Sequence, residues 1–170
     1  NLIAGECAPD QGSILLQGEA IHRLPSNAIC KRGIARTFQM VRPFLNLTIL
    51  RNVVMAASFG RTPTPSYYEA EAIAWHWLEF MSLADKAHVL ARSLPLGERK
   101  RLEMARALAT QPQLLLLDEA IAGLNPTEVS QIMDLIRAVQ GTGATICLIE
   151  HVMKAILGLS DKVIVLNHGE

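Results

Sequence analysis

Two short apolar runs that end in ionisable residues constrain this chain most. The first run, Leu114 to Leu117, leads into Asp118 and Glu119, and the second, residues 144–149, is followed closely by His151. Short apolar runs with polar ends are typical of strands buried in a parallel sheet. Ligands of open α/β sheets bind beyond the carboxyl ends of such strands. The sequence therefore predicts an α/β fold in which these three ionisable side chains share one ligand-binding edge.

The three side chains suit the handling of a phosphate ligand and its metal ion. Magnesium prefers carboxylate and water oxygens, and Asp118 can supply the carboxylate. Glu119 can take a proton from an attacking water, and His151 can contact the terminal phosphate. Each residue also has a simpler interpretation as the polar end of a strand that returns to solvent. The functional hypothesis depends on the three residues occurring together.

A predicted helix with a glycine at its start comes directly before the first apolar run. A helix start of this kind offers free N–H groups and a positive dipole end, which suit a phosphate. The alternative is a basic, solvated helix face, which accounts for charges such as Lys100 and Arg106 but not for the helix lying just before the acidic pair. The segment that opens the helix consists of Leu94, Pro95, Leu96, Gly97 and Glu98.

Five motifs occur in order along the chain: Arg36-Thr37-Phe38-Gln39, residues 94–98, residues 114–119, Ala122-Gly123-Leu124-Asn125-Pro126 and Ile149-Glu150-His151. Taken in this order, they resemble the ATP-binding subunits of ABC transporters, and within that family the branch that imports branched-chain amino acids. The resemblance implies an α/β fold: a P-loop NTPase-like ABC ATPase domain, partial here, with a mainly helical subdomain inserted in a parallel-sheet core.

The resemblance implies a role for each matched residue of the reaction centre. Glu119 corresponds to the general base, and Asp118 to the aspartate that supports Mg²⁺. Gln39 corresponds to the glutamine that contacts both the magnesium ion and the attacking water, and His151 to the switch histidine. Phosphoryl transfer requires positioning and charge stabilisation more than covalent chemistry, so several such groups must converge.

The same resemblance implies partners for the protein. Residues 94–98 correspond to the signature loop, which binds ATP held by a second ATP-binding subunit, and Asn125 lies in the loop that crosses this dimer interface. ATP and Mg²⁺ are the implied cofactors. The helical middle segment, with residues 39–52 as its hinge, docks on membrane permease subunits, and a solute-binding protein acts indirectly. The implied location is the cytoplasmic face of the cell membrane, and no nucleic acid is involved.

The chain also departs from the family pattern. Pro95, Leu96 and Glu98 replace the usual serine, glycine and glutamine of the signature, and Ala120 replaces a proline. These looser forms resemble the amino-acid importer branch, so we expect function to be retained. No lysine follows a glycine, so the phosphate-binding loop Gly-x-x-x-x-Gly-Lys-Ser/Thr is absent. We therefore expect a fragment that binds ATP poorly or not at all; a catalytically inactive remnant is the weaker alternative.

The balance of charged residues argues against some classes of function. The 170 residues carry 16 basic and 16 acidic side chains, and this balance argues against broad nucleic-acid binding. It also favours an importer subunit over the remaining alternative, a soluble ABC-type ATPase that contacts no permease. Of the three cysteines, Cys147 lies inside an apolar run, which predicts a buried thiol.

The order of predicted elements divides the chain into three parts. Residues 1–45 form the remainder of an N-terminal core with short strands, 46–112 form the helical subdomain with the signature loop, and 113–170 form the sheet core. In the last part, strands at 114–118, 144–149 and 162–167 alternate with helices at 126–140 and 152–159, which is the pattern of a parallel sheet.

Apolar residues also occur in the loop predicted at 41–45, including Phe44 and Leu45. Exposed apolar surface usually indicates a partner. Packing of these side chains back against the helical segment is an equally good interpretation.

Overall fold

The computed structural model describes residues 1–62, 64 and 66–167. Its first elements are a short antiparallel pair, β1 (Leu15–Leu16) and β2 (Glu19–Ala20). The turn between them has φ of 50° at Gln17 and 85° at Gly18, backbone geometry that suits a tight hairpin. Helix α1 (Ser26–Lys31) then leads into β3 (Ile34–Arg36). Ile21, Ile29 and Ile34 form a small apolar cluster that holds these elements together.

The helical middle of the chain contains α2 (Ile49–Ser58), α3 (Tyr67–Phe80) and α4 (Leu96–Ala109). Short 3-10 turns at Ala84–Lys86 and Ala91–Ser93 connect α3 to α4. Residues 59–66 separate α2 from α3, and Pro63 and Pro65 of this segment lie outside the described residues. Buried side chains from all three helices join one core cluster with the sheet.

The sheet core is parallel and has the order β3-β4-β5, where β4 is Leu114–Asp118 and β5 is Thr145–Ile149. Leu115 and Leu117 of β4 are fully buried, while Leu114 and Leu116 are partly covered on the other face. The central place of β4 explains its uninterrupted leucines, because both faces of a central parallel strand contact other elements.

Two further helices follow β4 and β5. Helix α5 (Pro126–Gln140) starts with a capping box: the Asn125 side chain accepts hydrogen bonds from the N–H groups of Thr127 and Glu128, and the Glu128 carboxylate accepts one from the Asn125 N–H. Helix α6 (Met153–Leu159) packs against α5. Within the described ranges, no helix is long and apolar enough to cross a membrane.

Two sequence predictions are wrong. Residues 162–167 form no strand: a strand requires backbone partners, and the described residues offer none to this segment, whose apolar side chains at 163–166 are exposed. Cys147 is exposed rather than buried, because Thr145, Cys147 and Ile149 alternate onto a face of β5 that no described element covers. Residues 168–170 of the third predicted part lie outside the described residues.

Candidate active site

The carboxyl ends of β4 and β5 form the edge on which the ionisable residues lie. Asp118 pairs with Ile149 in the parallel register, and the Glu119 N–H donates to the Ile149 carbonyl over 2.9 Å. Residues that follow the two strands therefore leave the sheet side by side. His151 follows β5 at this edge with an exposed side chain, which makes no hydrogen bond within residues 1–62, 64 and 66–167.

Gln39 reaches this edge from the loop after β3. Its Nε2 donates to Glu119 Oε2 over 3.0 Å, although the two residues are 80 positions apart in the chain. The Gln39 side chain is exposed, so this contact lies at the open side of the sheet edge. The structure thus joins the implied water-positioning glutamine to the implied general base.

Asp118 is held by an arginine that the sequence analysis did not assign to the site. Arg36, the last residue of β3, donates to Asp118 Oδ2 over 2.8 Å and to Glu6 Oε2 over 2.7 Å. Asp118 Oδ1 makes no hydrogen bond to any described residue and is therefore open to another ligand. The only sequence signal for Arg36 was its place in the Arg-Thr-Phe-Gln motif, since its carboxylate partners are distant along the chain.

The backbone of Glu119 is strained. Its φ of +48° lies in the left-handed region, which costs energy for a residue with a Cβ. Lys100 Nζ donates to the Glu119 carbonyl over 2.8 Å and so stabilises the turn. Lys100 is 6% exposed, which contradicts the solvated-face interpretation of α4. Burial lowers the pKa of Lys100, against the opposing attraction of the carboxylates of Glu150, Glu103 and Glu119.

A buried carboxylate on the same helix reaches the loop that carries Gln39. Glu103 is 6% exposed, and its Oε1 accepts a hydrogen bond from the Phe38 N–H over 3.1 Å. Desolvation raises the pKa of Glu103 to about 7, against the lowering effect of the Phe38 and Arg42 N–H groups and of Arg106 and Lys100. Sequence reasoning missed Glu103 because an acidic side chain in a helix rich in basic residues looks solvent-exposed.

The segment of residues 94–98 lies at the start of α4, with Leu94 buried and Pro95 and Leu96 exposed. None of the described side chains caps this helix, so its first N–H groups are free for a ligand. Gly97 packs so closely on α5 that a Cβ there would lie 2.7 Å from Glu128 Oε1. Glu98 is ion-paired with Lys86 at 2.5 Å. Among the described residues, this segment makes no hydrogen bond to Gln39, Asp118 or Glu119.

Asn125 and Glu150 stabilise the loop that follows the acidic pair through hydrogen bonds to backbone N–H groups. The Asn125 side chain is committed to the cap of α5, which fixes the loop rather than leaving an amide free. Glu150 Oε1 accepts a hydrogen bond from the Ile121 N–H over 3.0 Å, while its buried Oε2 has no partner among the described residues. Glu150 is a second carboxylate that the sequence analysis did not assign.

The donor set at the edge fits a magnesium ion. In the described ranges, no group of three or more His, Cys, Asp or Glu side chains could hold a metal alone. Magnesium is usually held by one or two carboxylates together with substrate phosphates and water, so no larger cluster is needed. Such an ion would be held by the open Oδ1 of Asp118, with the Gln39 amide as a second protein oxygen donor.

Comparison with known proteins identifies the family of this chain. The family model described as ABC transporter matches residues 1–122. The chain belongs to the ABC transporter ATP-binding family. It is therefore a chain of the transport-coupled ATPase class, and its parallel sheet with helices is the ABC ATPase fold.

Individual relatives agree with the family assignment. The high-affinity branched-chain amino acid transport ATP-binding protein LivG of Escherichia coli K12 is 38% identical over 182 residues, which cover 99% of this chain and 71% of LivG. The protein BraF of Pseudomonas aeruginosa, which has the same description, gives the same values. A solved ATP-binding cassette of an ABC transporter has a TM-score of 0.82 and 28% identity, over 92% of this chain and 66% of that one.

Proposed function

We propose that this ABC family chain is the ATP-binding and ATP-hydrolysing part of an importer subunit, and that the importer carries branched-chain amino acids. The observation that carries the ATPase part is the 3.0 Å contact between Gln39 and Glu119 at the carboxyl edge of the sheet. The solute class is supported by the 38% identity to LivG and BraF.

Glu119 is proposed as the general base that takes a proton from the attacking water. Its Oε2 accepts a hydrogen bond from the Gln39 amide over 3.0 Å, so a water bound beside this pair would be oriented by Gln39 and deprotonated by Glu119. His151 lies on the neighbouring strand end, where its exposed imidazole can contact the terminal phosphate of ATP. Positioning of this kind is the main requirement of phosphoryl transfer.

Asp118 and Gln39 are proposed to hold Mg²⁺. Arg36 fixes one carboxylate oxygen of Asp118 and leaves the other free for this purpose. The bound ion would neutralise charge that develops on the phosphates of ATP.

A second ATP-binding subunit is the proposed partner of residues 94–98. The exposed Pro95 and Leu96 and the uncapped start of α4 face outward, so a phosphate can approach from another chain. The loop that ends at Asn125 packs beside this segment: a Cβ at Gly123 would lie 3.2 Å from Leu96 Cδ2. We therefore propose that both segments lie in a dimer interface.

Permease subunits in the cell membrane are the proposed second partner, with the protein bound to their cytoplasmic face and a solute-binding protein acting indirectly. The loop after Gln39 supports this proposal, because Met40 is 71% exposed and Phe44 and Leu45 are about half exposed. Phe44 also packs back against α4, where the Arg106 guanidinium lies 4.9 Å from its ring. The division of the chain into an N-terminal part (1–45), a helical subdomain (46–112) and a sheet core (113–170) is likewise proposed.

The test uses a chimera in which a segment with a Gly-x-x-x-x-Gly-Lys-Ser loop, taken from another family member, precedes Asn1. Glu119→Gln in this chimera is expected to retain ATP binding and to lose turnover by about 100-fold or more. Glu79→Gln, an exposed position on α3, is the matched control and should leave turnover unchanged. ATP hydrolysis by Glu119→Gln at the unsubstituted rate would remove Glu119 as the base.

A further inference from the structure

Helix α4 carries two buried ionisable side chains one turn apart. Lys100 and Glu103 are each 6% exposed and share a face of the helix, because residues three apart lie side by side. Burying such groups is costly unless their hydrogen bonds are made. Neither side chain makes a hydrogen bond to the other; each instead contacts the backbone of a different loop of the candidate site.

The first of these contacts acts on the general base. Lys100 Nζ donates to the carbonyl of Glu119, whose left-handed backbone needs external support to persist. The Glu119 N–H is already bound to Ile149, so both sides of this residue are fixed. The direction in which the Glu119 carboxylate leaves the backbone is therefore determined partly by Lys100.

The second contact acts on the glutamine. Glu103 Oε1 accepts the Phe38 N–H, and Phe38 directly precedes Gln39. Without this acceptor, the Phe38 N–H would lose its partner at the end of the strand where the loop begins. Glu103 therefore fixes the point from which Gln39 reaches Glu119.

We propose that Lys100 and Glu103 are positioning residues that together hold Gln39 and Glu119 in contact. Their catalytic consequence rests on the proposed function of Glu119, whereas their effect on the two loops does not. Both side chains project from the helix that begins at residues 94–98, so a single element supports both halves of the Gln39–Glu119 pair.

The structural half of the proposal is tested on the 170-residue chain itself by amide hydrogen exchange, with NMR detection. The Phe38 N–H should be protected in the unsubstituted chain and should exchange about tenfold faster in Glu103→Leu. Glu103→Gln keeps an acceptor oxygen and should restore protection, and Glu79→Gln is the matched control. A Phe38 N–H that is unprotected in the unsubstituted chain, or equally protected in a folded Glu103→Leu variant, would overturn the proposal.

The Lys100 contact is tested separately, by the NMR resonance of a neighbouring amide. Lys100→Met keeps the apolar stem and removes the donor, so the amide resonance of Ala120, which follows the Glu119 carbonyl, should shift. Lys100→Arg keeps a donor and should give a smaller shift. An unchanged Ala120 resonance in Lys100→Met would overturn this part of the proposal.

The catalytic half is tested in the chimera with the phosphate loop. Glu103→Leu and Lys100→Met should lower kcat about tenfold or more with little change in the KM for ATP, and Glu103→Gln should recover most of the rate. An unchanged kcat in a Glu103→Leu chimera whose Phe38 N–H has lost protection would overturn it. Failure of the proposed function is recognised separately, since Glu119→Gln would then hydrolyse ATP normally while the hydrogen-exchange results stand.

Discussion

Replacing Glu103 with glutamine should remove the contribution of this carboxyl group to the pH dependence of the protein's stability. Burial raises the pKa of Glu103 from 4.5 to about 7, in an environment that contains the Lys100 and Arg106 side chains and the N–H groups of Phe38 and Arg42. Glutamine keeps the shape and the acceptor oxygen of the neutral carboxyl group but does not titrate.

The direction follows from the raised pKa. The folded state favours protonated Glu103, so it binds a proton more tightly than the unfolded state does. The associated stability is present below about pH 4.5 and is lost as the pH rises towards about 7. The full difference in pKa corresponds to about 3 kcal/mol, of which about 2 kcal/mol falls between about pH 5 and about pH 7.

The assay is chemical denaturation of the unsubstituted chain and of Glu103→Gln at a series of pH values. Other groups also contribute to the pH dependence, so the informative quantity is the difference in unfolding free energy between the two proteins at each pH. This difference should shift in favour of Glu103→Gln as the pH rises, whereas Glu79→Gln, with an exposed side chain, should show no such trend. A difference that stays constant from about pH 5 to about pH 8 would refute the reasoning about Glu103 burial.

Two further predictions concern the elements that support the site. Asn125→Ala removes the side-chain acceptor of the α5 capping box and should lower the unfolding free energy by about 1 kcal/mol in urea denaturation; an unchanged midpoint would mean that the cap contributes nothing. Leu117→Ala opens a cavity in the centre of β4 and should lower the unfolding free energy by about 2–5 kcal/mol in the same assay. Leu116→Ala, at a partly exposed position, should lower it clearly less. Equal losses of unfolding free energy would contradict the assigned burial.

The elements with strong local signals were predictable from the sequence. Strand β4 and helix α5 begin and end at the predicted residues, because the leucine run is bounded by Asp118 and because Asn125 and Pro126 mark a helix start. The family resemblance is confirmed by the family model and by LivG and BraF.

Features that depend on distant partners were not predictable. Nothing local indicates that Lys100 and Glu103 are buried, since their environment is created by loops that follow β3 and β4. The Arg36–Asp118 ion pair likewise joins residues 82 positions apart. The strand predicted at 162–167 does not form, although its composition suits a strand, because pairing with another backbone segment decides whether a strand forms.

The left-handed backbone of Glu119 limits which replacements can be interpreted at this position. Glycine would abolish the carboxylate and simultaneously relax the main chain, so its kinetic effect would mix lost proton transfer with a displaced turn. Valine or isoleucine would instead add backbone strain, since branching at Cβ is poorly tolerated at positive φ. Glutamine removes the acid–base function while keeping the branching and length of the side chain. Aspartate tolerates positive φ and keeps the carboxylate, so it tests the effect of side-chain length alone.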